Sequence, residues 1–160
     1  MKLYDELEGA MQEALEATAA TVEYYNDQYR NTDKDHAKRY PAVYFELLEP
    51  VQFTQSGTQY QQARMRARLH CVVFDLKNNK TAIHDFSQDV FIAMHQRRLK
   101  DPENRDLTTE WVRVASTMPE RHGNLKVMYI DFEFEAFDYY TLPTNLESAP
   151  NFTIQINEPE

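Results

Sequence analysis

The amino-acid sequence predicts an α+β protein: a mostly antiparallel β-sheet of about four main strands with two packed helices (α-β-β-α-β-β) and an extended C-terminal arm. Two segments repeat apolar residues every three or four positions, which indicates amphipathic helices. Four segments alternate apolar and polar residues between turn-forming clusters, which indicates strands. Helices followed by strand pairs are typical of helices packed on an antiparallel sheet. The chain of 160 residues has the size of one domain, which we place at residues 1–140, with the arm at 141–160.

The first helix is predicted as one long amphipathic helix over residues 2–29. Its apolar stripe consists of Leu3, Leu7, Met11, Ala14, Thr18, Val22, Tyr25 and Tyr29. A stripe this wide is typical of a helix that packs on a sheet or on another subunit, and we prefer that interpretation to a cofactor groove. The polar residues 31–39 then form a connector.

The first pair of strands is predicted over residues 40–49 and 59–75. Pro41 opens the first of these strands and Pro50 closes it, because proline is tolerated at strand ends and not in the middle of a sheet. A turn around residues 55–57 joins the two strands. A second turn cluster at residues 77–80 follows them.

The second half repeats the pattern. A helix is predicted over residues 83–99, with Thr81 or Ala82 near its start and Asp101-Pro102 as its stop. Its inner face is formed by Ile83, Phe86, Val90 and Met94. A third strand is predicted over residues 107–118, alternating around Trp111, Arg113 and Ala115, and a turn at 119–124 leads into a fourth strand at 125–140.

Charge and composition exclude several classes of function. The formal net charge is −9, from 26 acidic and 17 basic residues, which argues against tight binding to nucleic acid. An acidic surface suits solubility, repulsion of DNA or docking to a basic partner, and composition alone does not choose among these. The three glycines are too scattered for a phosphate-binding loop or a dinucleotide fingerprint. No apolar run approaches the ~20 residues that cross a bilayer.

The N-terminal segment and the cysteine content suggest where the protein resides. Residues 1–16 are acidic and amphipathic, unlike a signal peptide, so we expect the protein to be made and kept in the cytoplasm, without a membrane partner. Cys71 is the only cysteine, which rules out an internal disulfide and a four-cysteine zinc site. It alternates onto the same strand face as Leu69 and Val73, which predicts a buried, inert thiol.

The second helix carries a group of candidate metal ligands: His84, Asp85, Asp89 and His95. Carboxylates and imidazoles bind catalytic divalent metals, so a small metal-dependent hydrolase is one alternative. At ~100° per residue, however, the histidines lie on one flank of the apolar stripe and the aspartates on the other. We therefore predict no catalytic residues, no metal and no cofactor.

Two charged ladders are the most informative pattern in the sequence. The first consists of Arg64, Arg66 and Arg68, and the second of Asp131, Glu133 and Glu135. Because strand side chains alternate between faces, each ladder projects from a single face of its strand. If the two strands are antiparallel neighbours, the arginines lie across from the acids. Such pairs would fix the register of the sheet, and we propose that part of the pairing joins subunits. Two unrelated solvated faces remain the alternative.

The C-terminal arm combines turn-forming and strand-forming features. Pro143, Pro150 and Pro159 disfavour a helix, whereas Phe152, Ile154 and Ile156 alternate as in an edge strand. We predict that this segment contacts a neighbouring protein, by strand addition.

Four segments carry a resemblance to a known family. They are residues 40–47 (YPAVYFEL), 70–75 (HCVVFD), 84–91 (HDFSQDVF) and 122–132 (HGNLKVMYIDF). Their succession across residues 40–138 resembles the tail-terminator and tail-completion proteins of tailed bacteriophages, and the related ring proteins that join head to tail. The resemblance implies an α+β subunit of a ring, commonly of six copies, that caps the tail tube. It implies no catalytic residues.

The resemblance and the composition together predict a structural virion protein. It would form a homo-oligomeric ring, a hexamer or alternatively a dodecamer, and contact neighbouring tail, neck or portal proteins. Phage DNA would pass through the ring without specific binding. The protein would reside in the virion, and in the host cytoplasm during assembly. The main alternative is an acidic inhibitor of the immunity type, which predicts a monomer with one dense acidic patch.

Overall fold

A computed structural model describes residues 2–30, 40–55, 60–75 and 81–139. The predicted connector at 31–39, the turn at 77–80, most of the turn at 55–57 and the arm at 141–160 lie outside these ranges. Phe152, Ile154 and Ile156 therefore remain predictions, as does the division of the chain into a domain and an arm.

The described residues form a six-stranded mixed sheet with strand order β1-β2-β3-β6-β4, and β5 pairs with β6 beside this path. The strands are β1 Thr21–Tyr24, β2 Ala42–Gln55, β3 Tyr60–Phe74, β4 Val112–Ser116, β5 Glu120–His122 and β6 Leu125–Tyr139. Only the β1–β2 pair is parallel; the other pairs are antiparallel. The predicted α+β class is confirmed. The two long strands β3 and β6 match the predicted segments 59–75 and 125–140 closely.

Two helices, α1 Lys2–Ala14 and α2 Ala82–Met94, cover one face of the sheet. Alternate β3 side chains such as Met65 and Leu69 point toward them, as the two-residue strand period requires. The predicted inner face of the second helix is confirmed, since all four of its residues are buried. Cys71 lies in this core, so the predicted burial of its thiol is confirmed. Burial raises the pKa of the thiol.

The long N-terminal helix predicted over residues 2–29 is wrong beyond Ala14. A 3₁₀ turn, Glu16–Thr18, follows α1, and Ala19 adopts a left-handed conformation with φ 51°. The chain then enters β1, whose β-branched and aromatic residues prefer strands. Spacings of three and four continued through this stretch by coincidence. The segment forms a strand because it pairs with β2, and this pairing outweighs the local helical periodicity.

The first strand of the sheet does not close at Pro50. β2 runs to Gln55, and its pairing with β3 shifts register between Leu48 and Gln52. A bulge is one of the few places where a sheet accepts a residue without an N–H donor. The register shift therefore accommodates the proline inside the strand.

The second helix and the third predicted strand are both shorter than predicted. The helix ends at Met94 and not at Leu99, so Asp101-Pro102 is not its stop. Trp111 explains the early end: it is buried, stacks on Phe134 with ring centroids 4.0 Å apart, and its main chain bonds back to residues 96 and 97. β4 spans five residues, with a bulge between Arg113 and Ala115. The predicted turn at 119–124 contains β5, and Gly123 turns the chain with φ 60°.

Candidate functional site

The two charged ladders lie opposite one another on the face of the sheet that the helices leave uncovered, here called the open face. The register is Arg64 with Glu135, Arg66 with Glu133 and Arg68 with Asp131. This is the pairing that the sequence predicted for antiparallel neighbours. It follows from the strand period, because β3 and β6 each send every second side chain to the open face.

The three pairs become progressively more exposed along the strands. Arg68 forms two hydrogen bonds to Asp131, Nε to Oδ1 at 2.8 Å and NH2 to Oδ2 at 3.0 Å. Their side chains are 35% and 11% exposed. Arg66 meets Glu133 at 2.5 Å, and these side chains are 50% and 33% exposed. The first pair is thus anchored in the sheet, while the second stands at its surface.

The outermost arginine departs from its register partner. The Arg64 guanidinium lies 3.7 Å from Glu133, diagonally across the ladder, and its side chain is 71% exposed. Glu135 instead accepts a hydrogen bond from the Gln62 amide. The exposed end of the ladder therefore offers a long, solvated cation beside two carboxylates.

Electrostatics within the ladder favour the charged forms. The hydrogen bond from Arg66 holds the pKa of Glu133 below its usual range. The hydrogen bond to Asp131 raises the pKa of Arg68. Arg68 also lies 5.4 Å from the ring centre of Tyr129, an aromatic face that attracts a cation. The ladder contacts therefore favour the charged forms of Glu133 and Arg68.

A network of hydrogen bonds lies beside the buried end of the ladder, and sequence reasoning missed it. His70 Nδ1 contacts the Tyr29 hydroxyl at 2.7 Å, and His70 Nε2 contacts Glu46 Oε2 at 3.1 Å. The Tyr29 hydroxyl is 3.3 Å from that of Tyr129, which donates to the Glu120 carboxylate at 3.3 Å. Burial lowers the pKa of His70, against the opposing effect of Glu46. The cluster seals one end of the open face.

His70 could have been suspected from its place in the strand. It follows Arg68 by two residues and so shares its face, and the register of the ladder places it opposite Tyr129. Nothing local predicted Tyr29, because that residue was assigned to a helix. It packs on the open face with Tyr44, Val72 and Val127, forming a second, smaller core.

The candidate metal ligands on the second helix are not gathered into a site. His84, Asp85 and Asp89 are exposed along α2, and His95 stacks on Phe91 with ring centroids 4.8 Å apart. Within residues 2–30, 40–55, 60–75 and 81–139, no group of three His, Cys, Asp or Glu side chains could hold a metal ion. The hydrolase alternative has no ligand set in this part of the chain. Nor does any helix there have the length and apolar character needed to cross a membrane.

No protein-family model and no curated protein sequence matches the chain. Solved structures match its fold. One, from the virion of a native gene transfer agent particle, is 11% identical with a TM-score of 0.60, and the match covers 85% of this chain and 98% of that chain. A second solved structure is also 11% identical, with a TM-score of 0.51, covering 87% of this chain and 98% of its own. At this identity the matches establish a shared fold.

Proposed function

We propose that the protein is a structural virion protein, a subunit of a tail terminator-like or head–tail connecting ring that joins the tail to the neck or portal. The observation that carries the proposal is the fold shared with nearly the whole of a chain from a gene transfer agent virion. The sequence resemblance to tail-terminator proteins points to the same kind of particle independently. The protein acts by assembling, and not by catalysis.

The charge of the protein suits a conduit for DNA. With a net charge of −9, a ring of such subunits repels the phosphate backbone. The arginines of the open face are matched by carboxylates of the same sheet. Double-stranded DNA could therefore pass such a ring without specific binding.

Subunit contacts are proposed at the exposed end of the ladder. Arg68 and Asp131 bind each other within the protomer. They contribute to the interface indirectly, by stabilising the strand pair that carries the exposed end of the ladder. Arg64, Arg66 and the two glutamates beside them are solvated and free to exchange partners. A cationic end of one subunit that meets the carboxylates of the next gives a head-to-tail contact, which closes into a ring when the rotation allows.

The acidic-inhibitor alternative predicts a dense patch of unpaired acids. On the open face the ladder acids do not form one, because Asp131 and Glu133 contact arginines and Glu135 contacts Gln62. The ring proposal accounts for this interleaving of opposite charges, since complementary charges allow like subunits to associate.

Light scattering and negative-stain electron microscopy of the purified protein test the proposal. We expect rings, as hexamers or alternatively dodecamers. The variant Arg64→Glu with Arg66→Glu should abolish them, because it places acids beside acids, while the protomer stays folded with a melting temperature lowered by a few degrees. Adding Glu133→Arg and Glu135→Arg should partly restore the rings.

The matched control reverses two exposed arginines elsewhere, Arg30→Glu with Arg98→Glu, whose side chains are 59% and 52% exposed. This variant has the same net charge as the ladder variant and should still form rings. Rings that survive unchanged in the ladder variant would place the contact elsewhere. A wild-type protein that stays monomeric at every concentration would contradict the ring itself.

A further inference from the structure

The strand β4, at one end of the sheet path, presents an exposed edge. It is the terminal strand of the sheet path in the described part of the chain, and all five of its residues are exposed. Val112 and Val114 are 49% and 42% exposed, and Met118, just beyond the strand, is 80% exposed. An apolar edge with unpaired backbone groups is a template for another strand.

The edge formed by β1, at the opposite end of the sheet path, is protected. β1 has only four residues. The N–H group of Thr21 donates to Pro41, just before β2, and that of Tyr25 donates to Phe45 in β2. The carbonyls of the intervening Val22 and Tyr24 therefore point outward. Gln12 Nε2 donates to the first of these carbonyls at 3.2 Å, and Gln28 Nε2 donates to the second. Side chains thus occupy the acceptors that a further strand would use.

β4 lacks the charged guards that edges usually carry. Its only charged residue is Arg113, whose guanidinium lies 4.3 Å from the ring centre of Phe91 on α2. The cation is thereby folded back against the helix. Natural sheets place lysines, prolines or bulges on exposed edges to prevent unwanted pairing. Here one bulge is present, and two valines stay accessible.

The chain itself contains a segment suited to this edge. Residues 151–157 (NFTIQIN) alternate apolar and polar side chains and contain no proline or glycine. Seven residues are enough to pair with all five residues of β4. The only charges in residues 147–160 are glutamates, so the segment brings no cation against Arg113. It follows the last strand of the sheet after the intervening residues 140–150.

We propose that residues 151–157 of a neighbouring copy add as a strand to the outer edge of β4. The contact deepens the proposed ring and rests on it. Backbone hydrogen bonds would supply the attraction, and the valines of the edge would pack against Phe152, Ile154 or Ile156. Such an exchange joins acidic subunits without relying on charge alone, and it covers the apolar edge of β4.

Cross-linking between two differently labelled copies tests the geometry. One copy carries Val114→Cys, and the other carries a single cysteine scanned through positions 152–156. Cys71 is fully buried and does not compete. We expect covalent dimers in the mixture, strongest at alternate positions of the scan. Intramolecular cross-links found only when both cysteines share one chain would overturn the proposal, because the segment would then lie on its own protomer.

A second pair of variants tests the same contact without cysteines. Val112→Lys with Val114→Lys guards the edge, and deletion of residues 151–160 removes the strand. Each should weaken assembly at least tenfold and shift the melting temperature of the protomer by no more than about one degree. Ile92→Lys is the matched control, since Ile92 is an exposed apolar residue on α2, and it should assemble normally.

The outcomes separate this contact from the ring. Wild-type rings that persist in both the lysine variant and the deletion would refute the strand exchange and leave the proposed function standing. A deletion that lowers the melting temperature by several degrees would also refute it, because the segment would then belong to its own core. A wild-type monomer would contradict both proposals.

Discussion

The Arg66–Glu133 and Arg68–Asp131 ion pairs of the open face differ in burial, so they should differ in what they contribute to protomer stability. The perturbations are Arg68→Met and Arg66→Met. Methionine keeps most of the aliphatic stem and removes the guanidinium, so the comparison isolates the charge and its hydrogen bonds.

The magnitudes follow from exposure. For Arg66, half exposed against a one-third exposed Glu133, the loss should be that of a surface pair, about 0.2–1 kcal/mol. Removing one partner of a fully buried pair costs about 3–5 kcal/mol. The Asp131 side chain is only 11% exposed and would lose two charge-assisted bonds, but water can enter where Arg68 was, since that side chain is 35% exposed. We therefore expect about 2 kcal/mol for Arg68→Met.

Unfolding in urea and by heat measures both values. The single tryptophan, Trp111, is buried and stacked on Phe134, so its fluorescence should report loss of the core. For a chain of this size each kcal/mol lowers the melting temperature by about 2–4 °C, which gives a drop of about 4–8 °C for Arg68→Met and no more than about 4 °C for Arg66→Met. A cycle with Asp131→Asn should show coupling of about 1 kcal/mol or more.

Salt provides the control for the burial argument. Raising ionic strength to about 1 M shortens the screening length to about 3 Å, so it should erase the contribution of Arg66 and spare most of that of Arg68. Equal losses in the two variants, or a loss at Arg68 that disappears in salt, would refute the reasoning that burial sets the difference.

Two further predictions concern His70 and Cys71, buried residues of β3 whose side chains point to opposite faces of the sheet. Burial lowers the pKa of His70 although Glu46 faces it, with Arg68 and Arg30 acting in the same direction as burial. As pH falls below about 6.5 the unfolded chain therefore takes up a proton that the folded chain resists, and stability measured by urea unfolding should decline toward pH 5. His70→Gln should flatten this part of the profile, and an unchanged slope would assign it to other groups. Cys71, fully buried with a raised thiol pKa, should react with a thiol reagent only at the rate of unfolding; prompt labelling of the native protein would contradict its placement.

The long strands could be predicted because they repeat one simple rule over many residues. Alternation over 15 residues leaves no competing structure, and the charges on one face fixed the partner and the register. Spacing predicted that Arg66 and Glu133 face each other if their strands are antiparallel neighbours, and the structure has that arrangement. Where local pattern and tertiary contact agree, sequence reasoning reaches individual side chains.

The errors arose where distant contacts override local pattern. Thr18, Val22, Tyr25 and Tyr29 continue the spacing of a helix, yet β1 forms because its residues can pair with β2. The predicted second helix ends early because Trp111, far along the chain, is buried against Phe134. Helix periodicity constrains which face is apolar, but it does not state how long the helix continues once a better-packed alternative exists.

The hydrogen bonds around His70 could not be predicted from the sequence for the same reason. They need Tyr29 from the N-terminal segment, Glu46 from β2 and Tyr129 from β6 on one end of the open face. No spacing in the sequence connects these residues. Only the sheet order, with β3 between β2 and β6, brings them together.

The same sheet order places the two proposed contacts next to each other. Val112, at the start of β4, is the register partner of Glu133, which in turn faces Arg66. One row across the sheet therefore runs from the exposed end of the ladder to the apolar edge. The second, smaller core around Tyr29 covers the other end of the open face. The exposed end of the ladder, next to β4, is therefore the accessible part of that face. A strand added to β4 would lie in the same row as Glu133, separated from it by Val112 of β4, and the subunit that delivers it would bring its own charges toward Arg64 and Arg66. Under these proposals a single neighbour makes both contacts, the charges setting its orientation and the strand holding it in place.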